Sequence, residues 1–174
     1  ELGMNHPGEI AYLAAIAQPT VALVNNAQRE HQEFMTSVEA VARENGSVLA
    51  ALPEGGVAVF PAGDDYSALW RQLAAGRRVV QFGDPAAGAE VADRRADWRQ
   101  DHWAVAADTA VGSLEFEVHV AGRHNVRNAL AATACALAAG APLAAVAQGL
   151  TAFRPVKGRS RTFMLRDGGR AITL

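Results

Sequence analysis

Apolar residues along this chain fall into two kinds of run. In the first half they form short unbroken stretches: TVALV (residues 20–24), GVAVF (56–60) and RVVQF (78–82). Runs of this length, fenced by polar or turn-forming residues, are the mark of strands buried on both faces. Between them the apolar period lengthens to that of a helix. GEIAYLAAIA (8–17) places Ile10, Leu13, Ala14 and Ala17 on one face, and Gln18-Pro19 stops it. Ser37 can cap a helix running to about Leu52, with an inward stripe of Val38, Val41, Ala42, Val48, Leu49 and Leu52. Pro53-Glu54-Gly55-Gly56 ends that unit, and residues 64–75 read as a further helix with an Asp-rich first turn and Gly76 behind it. Strand, helix, strand, helix, strand predicts a parallel sheet with crossover helices.

The pattern then changes. GDPAAGAEVADRRADWRQ (83–100) is polar, charged and poorly periodic, and supports no element. WAVAAD (103–108) and LEFEVHV (114–120) alternate apolar with polar, as antiparallel strands with one wetted face do. Two helices follow, over 125–139 and 142–150, and RTFMLRDGGRAITL (161–174) reads as a hairpin turning at Asp167-Gly168-Gly169. No internal repeat and no linker-like stretch interrupts the chain. The expectation is one α/β domain over residues 1–174, a mostly parallel sheet with flanking helices plus a small antiparallel β element.

Composition sharpens this only in places. With 174 residues, 50% of them hydrophobic and 20% charged, the chain can bury a sizeable core. A net charge of -2 leaves no basic footprint and argues against nucleic acid as partner. ALAATACALAAGAPLAAVA (129–147) carries no charge, but it is mostly alanine and is broken by Gly140-Ala141-Pro142, which fits two packed helices and no membrane span. A single cysteine, Cys135, excludes a disulfide framework and points to a reducing compartment; inside an apolar run it reads as a small buried hydrophobe, not a nucleophile. The charged, Gly- and Pro-containing start lacks the apolar core of a signal peptide.

Candidate chemistry sits at four places. In open parallel sheets ligands bind beyond the carboxyl ends of the strands, so the NNAQREH loop (25–31) after TVALV lies on the functional rim. There His31, beside Glu30, is either a solvated loop residue or, with the carboxylate of Glu1, part of a metal site; Glu1 itself is either a frayed terminus or the end of a strand facing a site. Asn45 stands seven residues from both Val38 and Leu52, hence on the inward stripe, and precedes Gly46. An inward amide there is a hydrogen-bonded core residue or part of a site. In GRHNVRNALAATA (122–134), His124, Asn125 and Asn128 share one face at the start of a helix. Two carboxamides in that position match the N6/N7 edge of adenine, or one caps the helix and the other is solvated. In PVKGRS (155–160), Arg159 can hold a phosphate through paired hydrogen bonds or simply sit on the surface.

Taken together, these segments resemble the Mur ligases, the ATP-dependent enzymes that build the peptidoglycan stem peptide. VALVNNAQREH is similar to that family's strand, Asn-Asn loop and metal-site histidine; GRHNVRNALAA to its G-x-H-N-x-x-N-A-L-A-A; PVKGR to its P-V-P-G-R. ELGMNHPGEI resembles the E-x-G-x-N-x-x-G-E-I of the branch that appends D-Ala-D-Ala to the UDP-N-acetylmuramoyl-tripeptide. The resemblance implies the central ATP-binding domain of such a ligase, cytoplasmic and bacterial. Glu1 and His31 would hold Mg2+; His124, Asn125, Asn128 and Arg159 would contact ATP; Asn5 and Asn26 would meet substrate. It further implies that the P-loop, the UDP-sugar domain and the carboxy-terminal domain lie outside these residues, since no GxxxxGK(S/T) occurs in them, so that the piece alone is inactive and its exposed sheet edges invite self-association.

Two departures stand out. Many relatives carry a carbamoylated lysine where this chain has Asn45, and an amide cannot supply that carboxylate; a water held by Asn45, or neighbouring Glu44, would have to replace it, or the lineage works without it. Lys157 stands where the family usually has proline. The alternatives are another amide ligase of the Mur or folyl-polyglutamate type, or a non-catalytic nucleotide-binding module.

Overall fold

The computed structural model describes residues 1–28, 35, 37–155, 164–167 and 170–173, the last two stretches as backbone only. It divides into two compact units, Glu1–Ala89 and Glu90–Leu174.

In the first unit the three apolar runs become parallel strands β1 (Val21–Leu23), β2 (Val57–Ala62) and β3 (Arg78–Gly83), in that order across the sheet. Val21 pairs with Val57, and Val57 with Arg78. Every residue of β2 is buried, as an unbroken apolar run requires. Helices α1 (Glu9–Ala17), α2 (Val38–Ala50) and α3 (Ser67–Leu73) accompany the sheet, with α2 packed against both of the others. Ser37 caps α2 as predicted, its Oγ accepting the Ala40 N–H at 3.1 Å. Helix α3 is shorter than its sequence suggests. Asp64 turns back locally, its Oδ1 accepting from Tyr66 N–H and its own N–H donating to Ser67 Oγ, each at 3.0 Å, so the Asp-rich stretch is a turn.

The core of this unit centres on Trp70, Phe60, Leu49 and Val41, all fully buried. Trp70 donates its indole N–H to the carbonyl of Ala42 at 2.9 Å, satisfying the one polar atom it buries. Gly46 makes the close approach of α2 and α3 possible, because a Cβ there would stand 2.6 Å from Leu73 Cδ1 and 2.9 Å from Trp70 Cδ1. Arg77 reaches the far end of α2, donating to the carbonyls of Ala50 and Leu52. Strands β1 and β3 flank β2 as the outer strands, the edges to which the expected self-association points.

The second unit holds the antiparallel sheet β4 (Ala92–Trp98), β5 (Trp103–Thr109) and β6 (Gly112–Val118), helices α4 (Arg123–Ala138) and α5 (Leu143–Ala152), and the hairpin β7 (Met164–Asp167) and β8 (Arg170–Thr173). β5 and β6 lie where alternation predicted them, and β7 pairs with β8 where the sequence predicted a hairpin. β4 is the element that the sequence reading missed. Its pairing with β5 shifts register between Asp93 and Arg95, and such a bulge breaks the two-residue alternation that betrays a strand. In β6, Leu114, Phe116 and Val118 are buried while Glu115 is exposed. Helix α4 buries Val126, Ala129, Leu130, Thr133 and Ala134 and packs on all three strands. The edge of β6 is covered in part by α5, whose Thr151 hydroxyl accepts the Glu117 N–H at 3.1 Å. Among the described residues, no helix is long and apolar enough to cross a membrane.

Candidate functional site

The sequence singled out Asn26 and Asn45 separately, and the first unit brings them together. Asn26 is half-buried in the chain leaving β1, and Asn45 Nδ2 points at its carbonyl oxygen from α2, at 3.5 Å, the long limit of a hydrogen bond. The amide of Asn45 is therefore at the rim of the sheet and turned toward the loop after β1.

Glu44 does not stand in for the missing lysine carboxylate. It is only 8% exposed, and its two oxygens accept the N–H groups of Gly8 and Ile10, each at 2.9 Å. A carboxylate so placed caps the first turn of α1, where backbone N–H groups lack helical partners and negative charge is favoured. This correction lay beyond the sequence because the cap comes from 34 to 36 residues away.

The ELGMNHPGEI segment is organised by Glu9. Its Oε2 accepts the N–H of Asn5 at 2.5 Å and of His6 at 2.9 Å, and Oε1 lies 3.4 Å from His6 Nδ1. These backbone hydrogen bonds, from Asn5 first and His6 next, hold the Glu9 carboxyl below its ordinary range. Asn5 is exposed at this turn, Met4 is buried in the core, and Leu2 packs against it. Glu1 is exposed and makes no hydrogen bond or ion pair among the described residues. His31 lies outside the described residues, and with it any convergence on Glu1.

Sequence reading also passed over an open pocket beside β2 and β3, lined by Gly63, Ser67, Arg71, Gln72 and Gln81. Arg71 donates to the buried Gln81 side chain and lies over the Phe60 ring, 5.9 Å from its centroid. The one available signal was a glutamine inside the otherwise apolar RVVQF run.

In the second unit the head of α4 assembles His124, Asn125 and Asn128 into a single polar row. Gly122 takes φ 93°, and a Cβ there would stand 2.4 Å from the His124 ring, which folds back over it. Asn125 Nδ2 donates to the Ala121 carbonyl at 2.7 Å and lies 3.2 Å from His124 Nε2. Asn128 Nδ2 donates in turn to Asn125 Oδ1 at 3.1 Å. Neither asparagine caps the helix, since Gly122 is the cap residue and no side chain accepts there. His124 and Asn128 are exposed, Asn125 half-buried, so the row presents amide and imidazole edges to solvent with Asn125 fixed from behind. Arg159 and Lys157 lie outside the described residues. Cys135, further along α4, is half-buried, and burial pushes its thiol up to about 11, which keeps it neutral and suits a packing role.

Residues 1–136 match the family described as the Mur ligase middle domain. The chain is 35% identical over 159 residues to the UDP-N-acetylmuramoyl-tripeptide--D-alanyl-D-alanine ligase of Escherichia coli strain K12, covering 91% of this chain and 35% of that protein. Its fold matches MurF from Acinetobacter baumannii with a TM-score of 0.88 and 31% identity, over 99% of this chain and 37% of that one. It also matches MurF ligase from Thermotoga maritima in complex with ADP, with a TM-score of 0.79 over 94% of this chain and 37% of that one; at 20% identity this bears on the fold alone. The chain spans about a third of the length of the curated relatives it matches.

Proposed function

Since the chain belongs to the Mur ligase family and carries its middle domain, we propose that it is the nucleotide-handling part of an ATP-dependent ligase that joins D-Ala-D-Ala to the UDP-N-acetylmuramoyl-tripeptide in the bacterial cytoplasm. The observation that carries this reading is the polar row at the head of α4, in a chain 35% identical to a ligase of that activity. Asparagine amides match the N6/N7 edge of adenine, and Asn125 is already fixed in plane by the Ala121 carbonyl. His124 lies against Asn125, and Arg159 would meet the nucleotide phosphates.

In the reaction proposed for the complete ligase, the γ-phosphoryl group of ATP passes to the terminal carboxylate of the tripeptide, giving an acyl phosphate and ADP. The amine of D-Ala-D-Ala then attacks the acyl carbon, phosphate leaves, and the amide remains. Asn26, Asn45 and Asn5 are the residues of this chain proposed to border the peptide substrate, the first two already joined at the rim. Magnesium is typically held by one or two carboxylates plus substrate phosphates while keeping several waters, and the exposed carboxylate of Glu1 fits that donor set, with His31 as the proposed neighbour. When bound, the ion would offset phosphate charge during transfer. Glu44 takes no part in holding it, since its oxygens cap α1.

Phosphate release by the complete ligase tests the reading. D-Ala-D-Ala should support turnover with the UDP-muramoyl-tripeptide, whereas L-Ala, D-Glu and diaminopimelate should not. Asn128→Ala should raise KM for ATP roughly tenfold, the discrimination one amide–base pair supplies, while changing kcat less. Turnover with a different amino acid would overturn the substrate assignment; an unmoved KM would overturn the adenine assignment.

A further inference from the structure

Two histidines and two carboxylates meet at one end of the antiparallel sheet. The register explains how. Trp103 pairs with Val118 as the last pair of β5 and β6, so His102 and His119 face one another one step further on. Glu117, two residues before His119, shares its side of the strand. Asp101 sits in the hairpin loop between β4 and β5, which the Arg99 N–H closes onto the His102 carbonyl at 2.8 Å and the edge-to-face pair Trp98–Trp103, 5.3 Å between centroids, braces.

The distances within the cluster sort its members into roles. Asp101 Oδ1 lies 2.9 Å from His102 Nδ1, which orients that ring and leaves its Nε2 directed at Glu117, 3.8 Å from Oε1. The rings of His102 and His119 are 5.3 Å apart. His119 Nε2 stands 3.0 Å from Glu117 Oε2 yet off the line of a hydrogen bond, and it is screened from water. A buried ring nitrogen that stands beside a carboxylate oxygen without a hydrogen bond in line has room for another partner. Two ligands of a tetrahedral ion at about 2.0–2.1 Å are themselves about 3.3 Å apart, close to this separation. One donor atom from each of Asp101, His102 and His119 falls within 4.8 Å of the others.

We propose that His102, Glu117 and His119 bind one divalent transition-metal ion of the zinc class, with Asp101 positioning the His102 ring. Two imidazole nitrogens and a carboxylate form the donor set zinc, cobalt and nickel take, and one that magnesium and calcium avoid. Three protein ligands leave a fourth position for water. Asp101 repeats the carboxylate–histidine–metal arrangement that fixes tautomer and raises ligand basicity. The ion ties the β4–β5 loop to the end of β6, two residues before the Ala121 carbonyl that anchors Asn125.

The test uses Co2+ as probe on the full chain, in excess Mg2+ to fill sites of oxygen donors. One equivalent should bind and give the visible absorption of a four- or five-coordinate site. His102→Gln and His119→Gln should each abolish that absorption, and Asp101→Asn should weaken binding about 10- to 100-fold. If circular dichroism shows either histidine variant unfolded, Glu117→Gln, on a half-exposed side chain, decides in its place by the same loss. No uptake, an octahedral spectrum, or uptake unchanged in the folded variants would overturn the proposal.

Discussion

Strands β2 and β6 use their apolar residues in opposite ways. β2 is buried along its whole length, with Val57, Val59 and Pro61 on one face and Ala58, Phe60 and Ala62 on the other. β6 buries only every second residue, so Leu114, Phe116 and Val118 pack while Glu115 meets water. The difference follows from the way each sheet is connected. Parallel neighbours need crossover helices, which spread cover over the sheet, whereas a meander can leave one face wet. Chemistry follows the same division. In the parallel sheet Gln81 is the polar side chain held inside, by Arg71, and the candidate site residues Asn26 and Asn45 meet at the rim; in the antiparallel sheet the wetted side of the strands itself can carry Glu117 between His102 and His119.

The sharpest way to break this comparison is to substitute both faces of each strand. Val59→Asp would leave an unpaired carboxylate in a fully buried position and should cost about 4 kcal/mol or more. Phe60→Ala on the opposite face should cost about 3–5 kcal/mol, so neither face of β2 is tolerant. In β6, Phe116→Ala should cost a similar ~3–5 kcal/mol, while its neighbour Glu115→Ala should stay within about 0.5 kcal/mol. Urea unfolding of the four variants reads these directly; a costly Glu115→Ala or a neutral Val59→Asp would end the contrast.

Effects of intermediate size probe the helices that cover β2. Gly46→Val drives methyl groups into Trp70 and Leu73 and should destabilise by about 1–3 kcal/mol. Glu44→Ala strands the Gly8 and Ile10 N–H groups and should cost about 1–3 kcal/mol, with early hydrogen exchange confined to α1. The smallest effect is a pH dependence at Glu9. Because its folded pKa is lowered, the carboxylate contributes stability in full above its ordinary 4.5, and that contribution fades as pH falls through the folded value. Glu9→Gln should remove this portion of the acid dependence, lowering stability slightly at neutral pH and converging with the parent protein at low pH; acid titrations of the two proteins with identical slopes would rule it out.

What could be read in advance was whatever is written locally. Ser37 as a cap, the three apolar runs, the alternation of β5 and β6, and the shared face of His124, Asn125 and Asn128 all depend on neighbours a few residues away. What escaped depends on distant partners. Glu44 is inward because α1 needs its carboxylate, and no spacing within α2 reveals that. Gly46 is a packing residue chosen by Trp70 and Leu73, not by the helix it sits in. The bulge hid β4, and Asp64, which reads as a helix start, spends its side chain on a turn. The candidate sites divide likewise. The α4 row was visible as a motif, while the His102–His119 pair is seventeen positions apart in sequence and becomes adjacent only through the β5–β6 register.

The placement of the tryptophans makes the two units optically distinguishable. Trp70 is fully buried in the first unit, with its indole N–H committed to a helix carbonyl, while Trp98 and Trp103 stand edge to face in the second. The chain has three tryptophans in all, so each unit owns its own chromophores. Trp70, fully buried, should supply the bluest part of the emission and so weight that signal toward the parallel sheet, and the edge-to-face indoles should give an exciton band in circular dichroism that reports the antiparallel one. Following both signals through a single melt measures whether the units lose structure together or in succession, with no label attached to either.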